Sequence, residues 1–175
     1  MELLEGVVHV GTGAEQSHPS VGAFVEVLDA IGERHGVTLQ AFDARYVVSA
    51  RHLERALELA DRERARGAGI ARDRGVEVLL YAVGRRQIDR ALEMGVGEGE
   101  TPAVVLVSAE ADGVGDETDA MTEARDLLEP TETLGRYDEA RVREFFDVGE
   151  RELAATDAGL EALVLERVAL LVVER

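Results

Sequence analysis

The residues of this chain that could do covalent or metal chemistry are few. There is no Cys, so thiol nucleophiles, thiolate metal sites and disulfides are excluded, and the four histidines (His9, His18, His35, His52) stand at no ligand spacing. Neither a metal nor another cofactor is expected. The loop Gly11 to Ser20 (GTGAEQSHPS) holds Ser17, His18 and Ser20, a hydroxyl and base that could in principle form a nucleophile pair. No G-x-S-x-G elbow surrounds either serine, however, and the phosphate-loop pattern fails for want of Lys, as the dinucleotide fingerprint fails for want of its third Gly.

Glu77 is the other unusual carboxylate, set between Val76 and Val78 with apolar residues three and four positions on. A partly buried carboxylate requires a partner, and Arg74, Arg45 or the Arg85/Arg86 pair are the candidates. The acids Asp112 and Asp116 stand in a run of charge and read as adaptation of the surface to salt. No constellation marks an active site, so the chain is expected not to be an enzyme.

Charge is more informative. The chain of 175 residues carries 36 Asp+Glu against 19 basic residues, all of them Arg, for a net charge of -17. An acidic surface without Lys suits multimolar salt, where the Debye length falls to about 3 Å or less and like-charge repulsion is screened. Against that background one segment departs: Arg45 to Arg90 holds 11 Arg and 7 acids, a net of +4, while the rest holds 8 Arg and 29 acids, a net of -21. Such an island points either to an anionic partner or to Arg residues that pair with Glu on solvated helices, as Glu58 and Arg62 could.

The elements that must carry these residues follow from periodicity. Leu3–Val10 and Val37–Phe42 read as strands, and Pro102–Ser108 (PAVVLVS) as a buried central strand. Ser20 caps a helix to about His35 with Val21, Phe24, Val25, Leu28 and Ile31 inward. Ser49 precedes a helix from Ala50 to about Arg66, stopped by Gly67 and Gly69, with Leu53, Ala56, Leu57 and Ala60 inward. At about 100° per residue, Arg51, Arg55, Arg62 and Arg66 fall within about 60° of one another and form an outward stripe. Further helices are expected over Ile70–Val83, Arg85–Met94, Glu117–Leu128, Asp138–Phe146 and, after a turn and a Thr156 cap, Asp157–Arg167. The β-branched end Val168–Val173 reads as a last strand. The expectation is α+β: a single domain over residues 1–175 with a mixed β-sheet flanked by helices. No apolar run reaches the roughly 20 residues of a membrane helix and the N-terminus has no signal pattern, so no membrane partner and a cytoplasmic location are expected.

The block from Gln40 to Gly97 resembles the small regulatory, kinase-binding subunit of the KEOPS (EKC) complex. The residues that carry the resemblance are Ile70, Ala71, Glu77 and Leu79, then Gly84, Arg86, Gln87, Ile88, Ala91 and Leu92; the closing LERVALLVV is similar too. Arg72 departs from the pattern, which often has Asn or a small polar residue there. The resemblance implies a non-catalytic accessory subunit. Such a subunit docks on the kinase-like ATPase subunit of KEOPS and captures tRNA at its 3′ CCA end, supporting the threonylcarbamoyladenosine modification. It directs attention to Arg45, Arg51, Arg72, Arg74, Arg85 and Arg86 as tRNA contacts, since Arg binds phosphates and stacks on unpaired bases. Ile88, Leu92, Met94 and Val96 are the corresponding apolar patch for the kinase-like partner. Two other readings remain open: a small hydrolase or nucleotide-binding enzyme using the Gly11–Ser20 loop, and a pure interaction module whose Arg residues are only salt-paired.

Overall fold

The computed structural model describes residues 1–110 and 113–173; Asp112 lies outside the described residues. The chain divides into two compact units, one of Met1–Ala44 with Gly95–Thr133, the other of Arg45–Met94 with the chain from Leu134 on.

The first unit is built on the expected strands. β1 (Glu2–Val10) pairs in parallel with a two-residue β2 (Ser17–His18) and antiparallel with β4 (Gly99–Ala109), which in turn pairs antiparallel with β3 (Val37–Asp43). The order is β2-β1-β4-β3, with β5 (Glu129–Pro130) pairing β1, so the sheet is mixed and β4 is internal. Two helices, α1 (Val21–His35) and α5 (Glu117–Arg125), pack on it. Alternate residues Leu4, Val8 and Val10, Leu39 and Ala41, and Ala103, Val105 and Val107 form one apolar cluster with Phe24, Leu28, Ile31, Ala120 and Ala124. Val104 and Leu106, on the opposite face of β4, are fully buried as well, which is why that strand reads as a continuous apolar run. Ser20 caps α1 by accepting from the Ala23 N–H, and Asp116 caps α5 by accepting from the Asp119 N–H. Val25, expected inward, is exposed at the edge of the α1 stripe.

The second unit is helical. α2 (Ala50–Ala65) begins where Ser49 accepts from the His52 N–H and buries Leu53, Ala56, Leu57 and Ala60 as expected. It ends at Gly67, whose left-handed φ of 71° lets the chain reverse. α3 (Arg74–Val83) starts four residues later than periodicity indicates, because Asp73 takes the cap position and accepts from the Val76 N–H. α4 is only Ile88–Leu92, α6 is Glu139–Phe145, and α7 (Glu150–Ala154) occupies a segment expected to turn. The unit closes with α8 (Gly159–Leu170). The expected final strand over Val168–Val173 is not formed: the helix continues, burying Leu160, Leu163, Val164, Val168 and Leu171 on one face. Packing of that face overrides the β propensity of the last residues. Among the described residues the result is eight helices and five strands, an α+β chain as expected. No described helix is long and apolar enough to cross a membrane.

Candidate functional site

The local order of the Arg-rich segment comes from Glu77. Its carboxylate is fully buried and accepts backbone N–H groups, from Ile70 at 3.0 and 2.9 Å and from Ala71 at 2.5 Å. The partner is thus the backbone of the preceding loop and not an arginine as expected. Arg64 clamps the same loop from its carbonyl side, donating to the Ala71 and Arg72 oxygens at 3.2 and 3.0 Å. Glu77 thus fixes the peptide units before Ile70 and Ala71, and Arg64 the two that flank the exposed Arg72.

The arginines of the island have different fates. Arg55 pairs with Glu58 at 2.7 Å, and Arg62 and Arg66 both reach the buried Glu63 at 3.1 and 3.0 Å. The pairing Glu58–Arg62 gives way to these. Arg74 is buried and donates through Nε and Nη2 to both oxygens of Asp61 at 2.8 Å, a bidentate bridge that takes it out of the surface. Arg45 is half-buried in the turn Ala44–Tyr46, its carbonyl accepting from the Asp138 N–H. Arg51, Arg72 and Arg86 are exposed, and Arg85 is partly so.

Arg85 and Arg86 converge with a residue far away in sequence. α3 ends at Gly84, whose φ of 63° is left-handed and whose absent side chain is required: a Cβ there would lie 2.9 Å from the Arg167 carbonyl oxygen in α8. The Arg85 N–H closes the turn on the Leu80 carbonyl at 3.2 Å. This close approach of α3 to α8 forms a cleft of about 330 Å³ lined by Val83, Gly84, Arg85, Arg86, Gln87, Phe146, Asp147 and Arg167. Arg85 Nη2 donates to the Phe145 carbonyl at 2.9 Å and to Asp147 Oδ2 at 2.8 Å. Arg167 donates to the Phe146 carbonyl at 3.3 Å and to Glu152 at 2.7 Å. Three guanidinium groups at one concave surface can bind an oxyanion through directed N–H bonds as well as through field. Arg167, Asp147 and Phe146 are not legible as site residues in the sequence; the one local sign is Gly84, a glycine that a helix end packed tightly against another element demands.

Beside the cleft, α4 presents Ile88 and Leu92 to solvent at 52% and 61% exposure, while Ala91 faces inward. Met94 is fully buried and Val96 belongs to the apolar cluster of the sheet unit, so the expected apolar patch narrows to Ile88 and Leu92. Met94 and Val96 both lie past the end of α4, in the segment leading to β4, where they are buried. In the Gly11–Ser20 loop each chemical group is engaged structurally. Ser17 Oγ accepts from the Thr12 N–H at 3.1 Å, Ser20 caps α1, and His18 Nε2 lies 3.2 Å from the Leu127 carbonyl.

The profile of the family described as kinase binding protein CGI-121 matches residues 26–171, which include the cleft, α4 and α8. The chain belongs to this family. No curated protein matches it. The family assignment makes this a kinase-binding chain, and the matched stretch contains every residue of the recognised block from Ile70 to Leu92.

Proposed function

We propose that this CGI-121 chain is the non-catalytic accessory subunit of a KEOPS complex, acting as one functional domain over residues 1–175 in a cytoplasm of high salt. It holds the kinase-like ATPase subunit through the exposed apolar face of α4, Ile88 and Leu92, and binds the 3′ CCA end of tRNA, supporting the threonylcarbamoyladenosine modification. The observation that carries the tRNA part is the cleft where Arg85, Arg86 and Arg167 meet within the family-matched residues. Of the other expected contacts, exposed Arg51 and Arg72 remain candidates and half-buried Arg45 a weaker one. Arg74 acts instead as a scaffold, through its bridge to Asp61.

A second reading rests on the ion pairs of Arg55, Arg62 and Arg66: the island is solvated, salt-paired surface and the chain is a protein-interaction module alone. The tagged chain, recovered from a lysate of its own source cells, separates the readings. A kinase-like protein and tRNA both retained supports the adaptor; the kinase-like protein without tRNA favours the module; neither retained contradicts the proposal.

A further inference from the structure

We infer that the Asp147 carboxylate is a built-in stand-in for the ligand's anionic group: it holds the Arg85 guanidinium in the free protein and is displaced when a phosphate of an RNA 3′ end enters the cleft. The inference rests on the RNA-end reading of the cleft given above, and deepens it by saying where one phosphate sits and what competes for that place.

The position of Asp147 is locally costly for an acid. It follows Phe146, the C-cap of α6, with a φ of 54°, the one positive φ of a non-glycine residue among the described residues. Its N–H reaches the Glu144 carbonyl at 3.3 Å and the next N–H, of Val148, reaches the Arg143 carbonyl at 2.8 Å, the hydrogen-bond pattern of a left-handed helix stop. Gly or Asn fills such a position with less strain, and a negative charge at a helix C-terminus opposes the helix dipole. What Asp adds there is its bond to Arg85. That bond is arranged to be exchangeable. The Asp147 side chain is 80% exposed and can swing into water, whereas Arg85 is 29% exposed and is also held by the Phe145 carbonyl. An incoming phosphodiester replaces one negative charge by another at a guanidinium already oriented to receive it. It gains in addition the field of Arg86 and Arg167, which line the same cleft. Asp147 thereby keeps Arg85 in place when no ligand is bound and weakens binding of any anion that cannot use the whole cleft.

Asn tolerates the left-handed conformation at least as well as Asp, so Asp147→Asn removes the charge without disturbing the fold, and Asp147→Gly serves as a second variant. Fluorescently labelled tRNA, intact or lacking its terminal CCA, is titrated with the full-length protein at fixed high salt. D147N and D147G are expected to bind intact tRNA about two- to fivefold tighter, the range of an exposed ion pair, with no gain on truncated tRNA. The gain disappears when Arg85→Ala is combined with D147N. Unchanged or weaker binding by D147N, with R85A still impaired, overturns the stand-in while leaving the RNA-end cleft intact. A gain that is equal on truncated tRNA, or that survives in the R85A background, is general electrostatics and also overturns it. Wild-type binding by R85A removes the cleft reading itself.

Discussion

His52 shows how a single side chain sets a pH limit on the helical unit. It lies fully buried in α2, with Nε2 2.7 Å from the Ala82 carbonyl of α3 and its ring edge-on to Phe146. A carbonyl only accepts, so Nε2 carries the proton, and Nδ1 has no partner among the described residues. Burial pushes the group from 6.5 down to about 4, against smaller upward effects of the Ala82 carbonyl and Glu161. The unfolded chain therefore takes up a proton below about pH 6.5 that the folded chain refuses until about pH 4. Stability from this group is complete above pH 6.5 and is lost progressively between 6.5 and 4, by about 3 kcal/mol in all. Glu123 acts in a lower window: hydrogen bonds from Arg34 and then His35 hold its carboxyl below the usual 4.5, so its contribution is lost only as pH falls beneath that value. Urea midpoints at pH 7 and pH 5 should differ in the wild type and converge in His52→Gln; equal midpoints in the wild type would show that His52 titrates normally. Sequence patterning identified Glu77 as a partly buried carboxylate in need of a partner but not the partner itself, because backbone N–H groups of a loop leave no signature in residue types.

At the scale of elements, the caps of the two longest helices were legible, whereas Thr156, read as the cap of the last helix, lies ahead of it, since α8 starts at Gly159 behind Ala158 with no side-chain cap. Ser20, Ser49 and the Leu53–Ala60 face all occur as read. Short segments were not. Val168–Val173 has the composition of a strand, yet Leu160, Leu163, Val164 and Val168 already mark a helical face that runs on without a break. Reading that face through to Leu171 would have found the helix and, with it, Arg167 opposite Gly84. α4 illustrates the other limit: five residues cannot show which apolar side chains face out. Its exposed Ile88 and Leu92 lead to a defined expectation. Ile88→Glu with Leu92→Glu should leave thermal stability within about 0.5 kcal/mol of wild type, as surface changes do, and abolish co-purification of the kinase-like partner. Met94→Glu would instead bury an unpaired charge and lower stability by several kcal/mol. Retained partner binding by the soluble Ile88/Leu92 double variant would place the kinase contact elsewhere.

Across the whole molecule the governing quantity is the contrast between a chain of net charge -17 and a basic island, which composition alone exposed. What composition could not show is that much of the island is internally paired, Arg85 included through Asp147, that Arg51 and Arg72 stand exposed, and that Arg85 and Arg86 are gathered with Arg167. In multimolar salt the counterion-release gain, about 0.7 in the salt slope per phosphate on a single strand, has little to act on. Under the proposed tRNA role, affinity then comes from directed Arg hydrogen bonds and stacking in a shaped cleft. Such a cleft recognises an end, where bases are unpaired, better than it recognises a duplex. The direct measurement is the affinity of the purified chain for intact tRNA and for the same tRNA without its terminal CCA, at high salt, with Arg85→Ala/Arg86→Ala alongside. The adaptor account predicts that truncating the tRNA and removing the two arginines weaken binding comparably, about tenfold or more, and that their effects do not add. Equal affinity for intact and truncated tRNA would contradict it.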